Sequence, residues 1–164
     1  MKLIITLEEY GMDDFRELMQ FVLNMNYDNR LELGREQLRV LKRKLIPAAR
    51  KNGINIPQKN EDSSFTIMML TCIRQFVAAN GEFNDDEFYF LCDLFETSFN
   101  YDKLLAFFNE GLKDSYESDP IYRKLIRSCG NEAFEAYCII GVLICCSDGT
   151  CSVDEQRILR NILY

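Results

Sequence analysis

The stretch that decides the fold occurs twice: Ala79-Asn80-Gly81-Glu82-Phe83-Asn84-Asp85-Asp86-Glu87 and, 68 positions later, Ser147-Asp148-Gly149-Thr150-Cys151-Ser152-Val153-Asp154-Glu155. Each copy sets an Asx-Gly pair, two spacers, then Asn or Ser with Glu three residues on. Gly81 and Gly149 suit the positive φ that ends a helix, a conformation costly for residues with a Cβ. Asn84 with Glu87, and Ser152 with Glu155, have the spacing of capping boxes: the Asn or Ser side chain accepts from the third amide, and the Glu reaches back. Phe83 and Phe88 stand as a hydrophobic staple across the first cap, while Cys151 and Gln156 form none across the second. Since apolar helical runs flank both copies, each reads as a helix–turn–helix corner. The chain is therefore expected to be all-α, a bundle of about seven or eight helices with two pseudo-repeated corners.

The remaining helices follow outward from these corners. Upstream of the first, Ile67, Leu70, Ile73, Phe76 and Val77 are the apolar positions of a helix that Ser63 or Ser64 can cap. Asn84 opens the next helix, with Phe88, Leu91, Leu94 and Phe95 toward the core, and Asn100 opens another reaching Leu112. Asp114 to Asp119 reads as a polar loop, and Asp119-Pro120 is a start signal for a short helix ending near Cys129-Gly130. Asn131 is expected to cap a helix running to Asp148, and Ser152 a last one burying Ile158, Leu159 and Ile162. Toward the N-terminus, Phe15, Leu18, Met19, Val22 and Met25 mark one helix, followed by a break at Asn26–Asn29. A second runs from Leu31 or Arg35 to Asn52, with Pro47 expected to kink or restart it. Residues 54–63 are polar and contain Pro57, dividing the chain into an N-terminal helical region, 1–60, and a duplicated body, 61–164, which pack as one compact domain.

Charge is divided along the same line. Residues 1–63 carry eleven Lys and Arg against ten Asp and Glu, whereas the remainder carries eight against sixteen. An acidic body disfavours nucleic acid, whose phosphates demand a basic surface. Arg35, Arg39, Lys42 and Arg43 nevertheless share one helix face, which reads as a dock for an acidic protein partner or as a solvated face paired with the acidic half. No apolar run is long enough to span a membrane, and none at the N-terminus suits a secretory signal. The seven cysteines form no Cys-x-x-Cys and there is no His, so a zinc site is not expected. They read as reduced core thiols of a cytoplasmic protein, with Cys146 and Cys151 the pair to watch for redox chemistry.

An ion site at the corners is the sharper alternative to simple capping. Asp-Gly followed by Glu matches the second half of an EF-hand loop, but the first and third ligand positions fall on Ile144 and Cys146, or on Phe76 and Ala78. Those side chains offer no oxygen, so neither corner is an EF-hand. A looser site remains, built from Asp85, Asp86, Glu87, Asp148, Asp154 and Glu155, with Glu82 beside them. Its oxygen-only donors would suit Ca2+, Mg2+ or Mn2+; the plainer role for these acids is to face helix N-termini and solvent. No cofactor is otherwise expected.

The second corner, Ser-Asp-Gly-Thr-Cys-Ser-Val-Asp-Glu-Gln-Arg-Ile-Leu, resembles the Ala-Asp-Gly-x-Ile-x-x-x-Glu signature of tellurite-resistance TerB-like domains, a fold also found at the N-terminus of the membrane-associated co-chaperone DjlA. The resemblance covers about residues 64–164 and includes the duplication of the corner. Asn80 stands where the first corner would have Asp, Cys151 replaces an aliphatic residue, and the first 60 residues have no counterpart. The absence of a His-Pro-Asp motif separates the chain from J-domain co-chaperones. The resemblance implies a stress-linked or envelope-linked interaction module, peripheral to membrane complexes in some settings and metal-binding in some members.

An enzyme is not expected. With no His there is no Ser-His or Cys-His nucleophile pair. Gly-x-Ser-x-Gly and a phosphate-cradling Gly-Lys-Ser/Thr loop are also missing. Two readings follow: an interaction module whose acidic corners take a divalent metal or a basic partner, or a metal-independent helical adaptor that recognises a protein through Arg35, Arg39, Lys42 and Arg43.

Overall fold

The computed structural model describes residues 12–77, 83–113 and 119–151, together with Val153, Gln156 and Arg157. These residues are all-helical, with seven α-helices, one 3-10 turn and no strand among them. In order, the α-helices are α1 (Met12–Asn24), α2 (Tyr27–Lys51), α3 (Glu61–Val77), α4 (Asp85–Phe95), α5 (Tyr101–Lys113), α6 (Asp119–Ser128) and α7 (Asn131–Cys145); the 3-10 turn, Gln58–Asn60, leads into α3. None of the described helices is long and apolar enough to cross a membrane.

Helix α7 lies at the centre because its sequence leaves it no polar face. Every residue from Ala136 to Cys145 is buried, and a helix apolar all round is stable only when covered on every side. Helix α2 is its main neighbour, and α1, α3, α4 and α6 also pack against it. The sequence of α2 supplies the matching stripe: Leu31, Leu38, Leu41, Leu45 and Ala49 are all buried, spaced so that each lies near the one a turn or two before it. Helix α3 contributes Phe65, Met69, Cys72, Ile73 and Phe76 to the same core. Tyr137 of α7 places its hydroxyl on the Cys72 carbonyl oxygen at 2.7 Å, giving the buried phenol the partner that burial requires.

Several boundaries differ from the sequence expectation. Helix α2 begins at Tyr27, because Asn26 caps it by accepting from the Asn29 amide at 2.8 Å; the expected break over Asn26–Asn29 shrinks to the cap itself. Pro47 does not restart the helix. It lies on the exposed side, where the Arg43 carbonyl left without a donor is open to water. Ser63 and Ser64 fall inside α3 rather than at its cap, since the 3-10 turn brings the start forward to Glu61. Gly130, with φ of 102°, occupies the N-cap position of α7 in place of Asn131 and makes no side-chain bond. Helix α7 ends at Cys145, short of Asp148: Cys146 makes the last four-residue bond, to Val142, and Ser147 and Gly149 then turn their amides onto Ile144 and Cys146, three residues back.

Candidate functional site

The acidic corners come first, as the sequence singled them out. Asn80, Gly81 and Glu82 lie outside the described residues, as do Ser152, Asp154, Glu155 and the residues from Ile158 onward. Of the first corner, Asn84 caps α4 by accepting from the Glu87 amide at 2.8 Å. Phe83 and Phe88 meet edge to face with centroids 6.2 Å apart. Phe83 also stacks on Tyr101, whose hydroxyl donates to the Phe83 carbonyl at 2.9 Å. Asp85 and Asp86 are exposed on the first turn of α4, where the helix dipole favours negative charge. Glu87 is only 4% exposed, so it does not share their open surface.

At the second corner Gly149 has φ of 87°, the conformation for which glycine was expected there. Asp148 is exposed, and its Oδ1 accepts from both the amide and the hydroxyl of Thr150, each at 3.0 Å. That carboxylate oxygen closes an Asx turn. Gln156 donates to the Cys151 carbonyl at 3.1 Å, a polar link where the first corner has an aromatic staple. Among the described residues no three His, Cys, Asp or Glu side chains converge as a metal site. None of the seven cysteines is joined in a disulfide. Cys146 is fully buried and Cys151 half-buried, while burial pushes the Cys138 thiol well up from its ordinary range.

The basic face of α2 is assembled, but its four cations do different things. Arg35 lays Nε and Nη2 on the Asp93 carbonyl at 3.2 and 2.7 Å, covering the C-terminal end of α4, with Glu96 at 3.9 Å. Lys42 is ion-paired with Asp62 at the start of α3. Arg43 reaches Glu132 of α7 at 3.5 Å, with side chains 70% and 54% exposed. Such open pairs contribute only about 0–1 kcal/mol, so they exchange readily with other anions. Arg39 is exposed and has no ion pair or hydrogen bond among the described residues.

Arg35, Arg39 and Lys42 form one wall of a cleft of about 680 Å³ between α2, α3 and the α4–α5 connection. Its apolar lining includes Phe95 and Phe99, both half-buried, and Ile67 of α3, which is 59% exposed. Ile67, one of the apolar positions counted along this helix, thus faces outward. A signal for its true position was present: at about 100° per residue, Ile67 stands about 200° from Phe65, opposite the buried Phe65, Met69 and Phe76. Arg30 was missed altogether; it donates to the Cys146 carbonyl at 2.8 Å and satisfies the end of α7. Nothing in its local spacing signals a contact with a residue 116 positions away.

Compared with protein-family models, with curated proteins and with solved structures, the chain gives no match.

Proposed function

We propose that this chain is a non-enzymatic helical adaptor that binds a protein partner through the basic face of α2 and the adjoining cleft, without a metal. The observation that carries the reading is Arg39, an exposed cation with no partner among the described residues, on the rim of a cleft with apolar side chains. The carboxylates in the same cleft, Asp62 and Glu96, are already occupied by Lys42 and Arg35. An acidic partner surface therefore meets an uncommitted guanidinium, although the chain as a whole carries a charge of −7. This is the kind of module that the TerB-like resemblance implies, with the binding surface moved from the acidic corners to α2.

Arg39 and Arg43 are the residues to reverse, because Arg35 also holds α4 in place. Expressed in the source cell, the wild-type chain and Asp85→Asn/Asp86→Asn are expected to co-purify the same protein, identified by mass, and Arg39→Glu/Arg43→Glu to lose it. If the reversed variant keeps that protein while the acidic variant loses it, the binding surface is the corner and this reading fails.

A further inference from the structure

The cleft does not end where its apolar lining ends. Beside it along α2 lies a second hollow of about 290 Å³, lined by Arg39, Lys42, Arg43 and Arg50 against a single carboxylate, Glu61. Arg39 and Lys42 line both hollows, so the two form one track. From Arg35 to Arg50 that track advances about 22 Å, at about 1.5 Å per residue. Its halves differ in chemistry. One offers Ile67, Phe95 and Phe99; the other gathers four cations around one carboxylate, in a chain where acids outnumber bases 26 to 19.

Resting on the adaptor reading, we propose that the partner's recognition segment is bipartite, with apolar side chains seated against Ile67, Phe95 and Phe99 and a run of carboxylates beside them, seated on Arg39 and Arg43. Arg50 is already committed, since it bridges the Ile56 carbonyl and Glu61. Arg43 is available because its pairing with Glu132 at 3.5 Å is open to solvent on both sides, and an incoming carboxylate competes for it at little cost. The apolar half supplies contact that salt does not screen, whereas the acidic half fixes register and weakens as salt rises. An isolated apolar anchor would leave Arg39 uncommitted, and an isolated acidic run would leave Ile67 in water. The two halves of the track select for a segment that carries both.

The test is a selection of random peptides of about 16 residues, enough for about 24 Å of helix, on the immobilised full chain. Recovered peptides are then measured against wild type, Ile67→Asp and Arg39→Glu/Arg43→Glu. All three positions are exposed, and thermal melts verify that each variant folds; Ile67→Asn and Arg39→Gln/Arg43→Gln replace any that does not. The expected peptides pair apolar residues with adjacent Asp or Glu, lose about tenfold or more in affinity to each variant, and weaken with salt. Acidic peptides that depend on Arg39 and Arg43 but ignore Ile67→Asp would overturn the bipartite inference and leave the adaptor reading standing, whereas peptides without acids that depend on Ile67 but ignore the arginine reversals would overturn both. Peptides indifferent to both variants, or no enrichment at all, would remove both.

Discussion

Gly141 of α7 lies directly under the ring of Phe76 of α3: a Cβ at that position would stand 2.5 Å from Cζ, 2.6 Å from Cε1 and 2.9 Å from Cε2. Phe76 is 1% exposed and packs against Tyr137 with centroids 5.4 Å apart, and Tyr137 is in turn held by the Cys72 carbonyl. The ring therefore has nowhere to retreat. Gly141→Ala should destabilise by about 1–3 kcal/mol through overpacking, even though alanine gains about 1 kcal/mol of helix propensity. Gly34 gives the contrast. There a Cβ would meet Leu94 Cδ1 at 2.6 Å, the end of a side chain that can change rotamer. Chemical denaturation should rank Gly141→Ala well below Gly34→Ala; equal losses would mean that the Phe76 ring moves aside.

How far the fold was legible depends on whether the deciding interaction is local. Asn84 and Asn100 were readable as caps because the amides they accept from, those of Glu87 and Lys103, lie three residues away. The apolar α7 was readable as a buried helix, since no polar face interrupts Ala136 to Cys145. The outward position of Ile67 depends on its angle on the helix, which a count of apolar positions does not weigh. The division of labour among Arg35, Arg39, Lys42 and Arg43 was beyond local pattern: their partners Asp93, Asp62 and Glu132 lie on three other helices. Spacing shows that four cations share a face; only packing shows which one is left over.

Tyr27 donates its hydroxyl to Asp93 across the α2–α4 contact, with its ring edge-on to Phe90 at 6.3 Å. Burial first, then the hydrogen bond and the charge of Asp93, raise the phenol well above its ordinary value. A raised folded pKa means that the contribution is fully present below the unfolded pKa and is lost as pH rises through the folded one. Tyr27→Phe keeps the ring contact and loses the bond. Because the residue is 36% exposed, the cost at neutral pH should be below about 1 kcal/mol. Urea melts should show that advantage of wild type holding to about pH 10 and narrowing above it. An advantage that grows with pH would contradict the assignment.

The acidic corners yield a prediction for divalent ions. Asp148 spends Oδ1 on Thr150, Glu87 is buried, and Asp85 and Asp86 sit where a helix start already favours them. Millimolar Ca2+, Mg2+ or Mn2+ should therefore leave the melting temperature within about 1 °C of its starting value. A metal held at about 100 times its Kd would stabilise by about 2.7 kcal/mol, a rise of about 5–10 °C in a chain of this size. A rise of that order, abolished by Asp148→Asn or Asp85→Asn/Asp86→Asn, would make the corners the functional site in place of α2.

Two ion pairs join α2 to the start of α3, and their environments predict unequal weight. Arg50 lays Nε and Nη2 on the Ile56 carbonyl at 3.1 and 3.0 Å while Nη2 also reaches Glu61 at 2.8 Å, with side chains 35% and 34% exposed. Lys42 and Asp62 are 36% and 87% exposed, so water competes for the carboxylate. Arg50→Lys should cost about 1–2 kcal/mol, because an ammonium cannot reproduce the planar fork that serves both acceptors. Lys42→Ala should cost less than about 0.5 kcal/mol, as expected for an exposed pair. The difference matters beyond stability, since Arg50 fixes the connection that positions α3, and α3 carries Ile67. Amide exchange over Ile56–Glu61 should rise in Arg50→Lys and stay unchanged in Lys42→Ala. Equal exchange in the two variants would mean that core packing alone, not the Arg50 fork, sets where α3 begins.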